Sequence, residues 1–367
     1  MPSNNKFMDR PTPYFEAGFS LIEIMVGLVI GLLATLVITQ VFSIFEGQKR
    51  STMGSADAQT NGSIALFNVQ RDVQMAGYGL PLFDTINPPL KCDPSPTIAV
   101  DHDNDGATAN VNVDIFPIRI VDGGTAAGAS DSVFVRYGPT PMGGIAVNVI
   151  TIAANVLGVD NNLGCQNNDV ALISNGASCA LKRVSDTDLA VDTTHITLLN
   201  DATVFPPASG AKVACLGGWN EYQYSISNSQ LSRNNVAIVP DIVNIQAQYG
   251  ISDPIVPGSA SNVVTSWVDA SVASGFAAPT ILNRNRIKGI RVAVVARNGL
   301  LEKTAVTTAC SSTTAAAPTG LCAWEGTAAS PAPVIDLSND PNWDHYRYRV
   351  FETIVPLRNI IWSGNTL

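Results

Sequence analysis

The sequence predicts an α+β chain: a long N-terminal helix, apolar in its first half and amphipathic in its second, packed on an antiparallel, β-rich C-terminal body. Three observations carry this. No charged residue stands between Ile24 and Phe45, a run of 22 residues; as a helix it would be about 33 Å long, enough to cross a bilayer's apolar core. No proline stands between Pro13 and Pro81, so nothing forces the helix to stop before Gly77. Beyond Pro81, turn residues alternate with short β-branched and aromatic runs. Charged residues are only 14% of the 367, a composition suited to a secreted-type β body rather than a cytosolic enzyme. A net charge of −9 argues against nucleic acid as the main partner, because phosphate backbones would repel it.

After Phe45 the helix turns polar, with Glu46, Gln48, Lys49, Arg50, Asp57 and Gln59, and Gly47 and Gly54 are points where it can loosen. Leu66, Val69, Val73 and Ala76 then recur at helical spacing, a stripe suited to packing on a sheet. Arg71 and Asp72 read as a structural pair near the helix end. Gly77, Gly79 and Pro81 are stop signals. Within the apolar half, Gly27 and Gly31 form a GxxxG, readable as a close helix-contact strip or as general flexibility.

The apolar run carries a carboxylate, Glu23, at its start. A charge in lipid costs on the order of 3 kcal/mol, so a plain anchor would not place one there. A cleaved secretory signal would put its small residues after the apolar region; here Ala17 and Gly18 precede it. Gly18, Phe19 and Glu23, followed by the span, resemble the class III signal of type IV prepilins and type II secretion pseudopilins. The resemblance implies a cut between Gly18 and Phe19 by a prepilin peptidase and N-methylation of Phe19. It also implies a role for Glu23 as the carboxylate that meets such an amine during filament assembly. The leader holds Asp9 and Glu16 beside Lys6 and Arg10, less plainly basic than such leaders usually are. The domain reading is thus leader 1–18, membrane and filament-core helix 19–45, amphipathic continuation 46–80, and a β-rich periplasmic or extracellular body 81–367.

Strands are predicted at 131–138, 147–153, 169–174, 195–199, 221–227, 236–251, 287–297 and 348–360. Residues 303–333, rich in Ala, Thr, Ser and Pro, read as a mobile loop. Four stretches resemble the PilW group of minor pilins: "RDVQMAGYGL" (71–80), "DIVNIQAQYGI" (241–251), "RIKGIRVAVVAR" (286–297) and "RYRVFETIVPLRNIIW" (347–362). That resemblance implies a pilin-like fold and a structural role in type IV pilus assembly and twitching motility. It implies a tip or priming complex with other minor pilins, the major pilin and a tip adhesin, reached from the inner membrane. The alternative is a minor pseudopilin of a type II secretion system, similar to the GspJ group. A third class, a membrane-anchored periplasmic enzyme or binding protein, leaves Gly18 and Glu23 unexplained.

Six cysteines, none in a CxxC, read as up to three disulfides in an oxidising compartment, against free buried thiols as the alternative. Proximity favours Cys310–Cys322 and Cys165–Cys179. No cofactor is expected, with one candidate cation loop. Asp101, Asp103 and Asp105 followed by Gly106 open like an EF-hand calcium loop. Its twelfth position is Asn112 rather than Glu, with Asp114 as the nearest substitute ligand. A weak calcium site and a solvated Asp/Asn turn both fit. His102, His195 and His345 have no metal-ligand spacing, and no nucleophile or phosphate-loop motif appears. No catalytic residue is expected.

Overall fold

The computed structural model describes residues 18–80, 97–98, 111–112, 115–140, 144–175, 179–187, 192–199, 210–254 and 262–361. The chain divides between Met53 and Gly54 into two compact units. A single helix, α1 (Leu21–Met75), gives its first part to the N-terminal unit and its last turns to the body. Among the described residues it is the one helix long and apolar enough to cross a membrane, with a mean hydropathy of 2.7 over its most apolar window.

The body's strands are β1 (Thr97–Ile98), β2 (Val111–Asn112), β3 (Ile118–Val121), β4 (Ser132–Tyr137), β5 (Val147–Ala153), β6 (Val156–Val159), β7 (Val170–Ser174), β8 (Cys179–Asp186), β9 (His195–Leu198), β10 (Lys212–Cys215), β11 (Asn220–Ser227), β12 (Gln230–Arg233), β13 (Val236–Pro240), β14 (Ile242–Ile251), β15 (Ser266–Val268), β16 (Ile287–Arg297) and β17 (Tyr348–Pro356). Short helices α2 (Ile281–Arg286) and α3 (Arg358–Ile361) flank β16 and β17. Two open sheets have the orders β15-β14-β16-β17 and β13-β12-β11-β4-β3. β8, β7, β10, β5, β6 and β9 pair in that order, and β9 pairs back to β8, closing a six-stranded barrel. The barrel is an insertion, since β4 and β11, which flank it in sequence, are direct neighbours in the five-stranded sheet.

Small side chains let α1 come close to the sheets. Ala58, Gly62, Ala65, Val69 and Val73 are its buried apolar positions, and they share one core with Ile118, Val133, Ile245, Ile290, Val292 and Val355. A Cβ on Gly62 would overlap the Phe351 ring, and one on Gly54 would overlap the Asn298 side chain. The predicted stripe holds at Val69, Val73 and Ala76, while Leu66 is only partly buried. The small residues N-terminal to it escaped the reading because Ala and Gly carry little apolar signal.

β7 shows how the barrel joins this core. Ala171 and Ile173 point into the barrel with Leu157, Val159 and Ile196, whereas Val170 and Leu172 belong to the core under the helix. Inside the barrel Cys165 is bonded to Cys215, not to Cys179 as proximity suggested. Both cysteines belong to the buried barrel cluster, and β10 pairs with β7 so that Cys215 lies opposite Ala171; strand pairing rather than chain distance selects the pair. Cys92 and the Cys179 side chain lie outside the described residues. Cys310 is bonded to Cys322.

The predicted strand 236–251 is two strands in different sheets, broken at Asp241, whose φ of 57° turns the chain. The segment between β16 and β17 is irregular but packed. Leu321, Trp324, Ile335 and Leu337 are buried against Ala293 and Val295 on the sheet face opposite the helix. The composition that suggested a mobile loop here belongs instead to a cover.

Two outcomes are expected. Gly62→Leu overpacks the helix–sheet contact and should cost about 1–3 kcal/mol in urea unfolding of the detergent-solubilised full chain. Gly47→Leu, at a position with open space around it, should be near neutral. Removing the Cys165–Cys215 bond, which spans 50 residues, with a double serine variant should cost about 4 kcal/mol by chain-entropy reasoning and expose the barrel to protease first.

Candidate functional site

Two places hold the residues singled out in the sequence. The first is the helix start. Gly18, Phe19 and Ser20 precede α1, and Phe19 is 79% exposed. The Ser20 hydroxyl accepts a hydrogen bond from the Glu23 N–H at 3.3 Å, and the Ser20 carbonyl accepts from Glu23 and Ile24. Ser-x-x-Glu is the capping-box spacing, and a carboxylate in the first turn is favoured by the helix dipole. The Glu23 backbone is therefore fixed in place by local chemistry. Among the described residues its carboxylate has no cationic partner. Leader residues 1–17 lie outside the described residues.

The second is the helix end, where α1 is fastened to the body. Asp72 is 3% exposed. It accepts the Tyr224 hydroxyl at 2.5 Å and Arg71 Nε at 2.9 Å, with Arg233 at 3.5 Å. Burial, then the bond to Asp72, hold the Tyr224 hydroxyl far above its usual pKa. The bond to Asp72 raises Arg71. Arg233 also lies 4.6 Å over the Tyr222 ring. The group is an anion with three donors, locked and neutralised; it contains no free nucleophile or base.

Three residues later the helix stops. Asn359 Nδ2 donates to the carbonyls of Gln74 (3.3 Å) and Ala76 (3.1 Å), satisfying two open acceptors at the helix C-terminus. Gly77, at φ 79°, donates to the Arg136 carbonyl, and the Gly138 N–H donates to the Tyr78 carbonyl. Gly79 approaches Gly138 so closely that a Cβ would overlap its carbonyl. So "AGYG" and "PLRN", far apart in sequence, meet at one joint. Sequence reading found both segments without seeing that they touch.

Of the other candidates, Asp101, Asp103, Asp105 and Asp114 lie outside the described residues. Among the described residues no three His, Cys, Asp or Glu side chains are grouped to hold a metal. His195 pairs with Asp192 on the barrel surface, and His345 Nδ1 lies 2.8 Å from the Glu302 carbonyl.

Residues 220–359 match the family described as Type IV Pilus-assembly protein W. The match covers less than half of the chain. It begins at the first residue of β11, just after the barrel, and ends at Asn359, the residue that caps the helix. No curated protein and no solved structure matches the chain.

Tyr224→Phe leaves the buried Asp72 short of one donor and should destabilise the body by about 1–3 kcal/mol. Asn359→Ala should cost about 1 kcal/mol, as for loss of a helix cap. Urea midpoints of the full chain check both.

Proposed function

We propose that this chain is a minor pilin that takes part in type IV pilus assembly. The observation that carries the reading is the match to the pilus-assembly family over residues 220–359. That family is a pilus-assembly component rather than an enzyme family, which fits the locked polar group around Asp72. The placement of Glu23 in the first turn of a 55-residue helix supports it further.

In this reading a prepilin peptidase cuts between Gly18 and Phe19, and the new Phe19 amine is methylated. The cut creates a cation one helical turn from Glu23. A carboxylate entering lipid costs on the order of 3 kcal/mol alone, and an ammonium partner offsets that cost. Within one subunit the Phe19 amine can serve; in a growing filament the amine of a neighbour can. Glu23 thus acts as a register mark that favours stacking of helices at one axial offset. The protein waits in the inner membrane with its body in the periplasm. It then enters the pilus with other minor pilins and the major pilin, at or near the tip, where a 367-residue chain is easier to accommodate than in a close-packed shaft. A tip adhesin is the further partner in this reading.

The test is a clean deletion scored for surface pili, twitching motility and secreted exoenzyme. Pili and twitching should be lost and secretion kept. Wild type should restore them, and Glu23→Ala should not. The N-terminal peptide should begin at Phe19 and carry one methyl group by mass spectrometry. Lost secretion with normal pili would instead make the protein a pseudopilin.

A further inference from the structure

The sheet edges of this body are treated unequally. The six barrel strands close, and the β1–β2 ribbon paired to β8 leaves only the two-residue β2 as an edge there. In the five-stranded sheet the edges are β3, of four residues, and β13, of five residues, which carries a register shift against β12 and ends at Pro240. In the four-stranded sheet β15 is only three residues long. β17 is different. It is nine residues long, pairs with β16 in unbroken register from Gly289↔Pro356 to Arg297↔Tyr348, and among the described residues has no strand on its other side. Proteins usually guard a long edge with charge or proline, or cover it; on β17 Pro356 stands only at the end and Glu352 is paired within the sheet, so the stretch between is open.

The register tells which backbone groups are open. Leu357 N–H donates to Lys288, and Asn298 N–H donates to Arg347, so odd-numbered residues of β17 bond to β16. Tyr348, Val350, Glu352 and Ile354 therefore turn their N–H and C=O groups outward. Pro356, which has no N–H to offer, falls on the same outward set. Ile354 is 55% exposed. At the other end of the strand, on the sheet face toward α1, Tyr348 and Arg349 line a surface cavity of about 280 Å³ with Ser55, Ala58, Asn298 and Arg347. Arg347 is held by Glu302 at 2.9 Å. Arg349 is exposed and has no counter-ion among the described residues, whereas Arg291 on the same sheet is paired with Glu352.

We infer that the outer edge of β17 receives an extended segment of a neighbouring pilus subunit, which adds a strand to the sheet and places an acidic side chain at Arg349. Backbone hydrogen bonds to the four outward residues supply affinity, and the Arg349 side chain supplies register and selectivity. The unpaired guanidinium in a chain of net charge −9 selects an acidic occupant. This rests on the pilus reading above.

The test uses the full chain in cells lacking the native copy. Ile354→Pro removes one outward N–H and no bond to β16, as edge strands tolerate; Ile354→Thr keeps the N–H; Arg349→Glu reverses the charge. Chain level, Phe19 processing and protease resistance of the body should match wild type in all three. Surface pili should fall about tenfold or more with Ile354→Pro and with Arg349→Glu, the scale of one lost interfacial hydrogen bond or ion pair. Ile354→Thr should assemble normally. A photocrosslinking residue at position 354 should capture a peptide of a different pilus subunit that contains Asp or Glu, and this readout decides should Ile354→Pro fail to accumulate. Wild-type piliation with Ile354→Pro, or capture of a second copy of this chain, overturns the inference. A deletion that leaves pili intact overturns the pilus reading itself and is scored separately.

Discussion

Between Gly54 and Ala76 the helix turns small or β-branched side chains toward the sheets, and the body is arranged around how close this brings it. Phe351 of β17 fills the space that a side chain at Gly62 would occupy. Val69 and Val73 then meet the β-branched faces of both open sheets in one core. Apolar contact of this kind is non-directional and would allow sliding along the axis. Asp72 removes that freedom. A buried carboxylate is tolerable only where its donors are, and Tyr224 and Arg233 fix that point on β11 and β12. Asn359 sets the same register from the other sheet's C-terminal end. Polar groups specify where the helix sits, and small residues specify how near.

The inserted barrel follows from the same arrangement. Its entrance and exit run beside the helix end, where Gly138 meets Tyr78 and the Thr140 N–H donates to the Leu216 carbonyl. Its strand β7 is buried on both faces, so the barrel shares the body's core rather than hanging from a linker. A closed barrel with its own disulfide adds bulk and leaves only the two-residue β2 as a sheet edge. The family match, which begins at β11, leaves the barrel outside. The matched part holds the helix together with β3 and β4, and the barrel is an addition to that scaffold.

Much of this was legible in the sequence because the signals were local. The uncharged run, the proline-free stretch and the glycine stop define α1, and period-two or continuous apolar runs located eight strand regions. What was missed has physical reasons. "SNSQ" and "RNNV" hold paired positive-φ residues, Asn228 with Ser229 and Asn234 with Asn235, the mark of tight hairpins. Neither pair contains the glycine that usually announces such a turn, so β12 passed unread. Barrel closure depends on the pairing of β8 with β9, which no local pattern encodes. The partner of Cys165 was decided by the pairing of β10 with β7, which sets Cys215 opposite Ala171, not by chain distance. The Ala/Thr/Ser-rich cover looked mobile because its few anchors, Leu321, Trp324, Ile335 and Leu337, are widely spaced among small polar residues.

Glu23 and Asp72 sit on the same helix in different surroundings: one carboxylate is satisfied within the body, and the other has no cation among the described residues. Asp72 has its donors within the folded body, so its charge is settled once the chain folds. Its removal costs stability and changes nothing outside the subunit. The Glu23 backbone is held in position by Ser20, but its carboxylate has no cation to meet among the described residues. Glu23 thus places a charge without a described partner in a strip otherwise made of exposed apolar side chains. Apolar contact between such strips is strong but indifferent to axial offset, and a single charge requirement makes one offset better than the rest. In the filament proposed above, packing that satisfied the charge would also select the stacking.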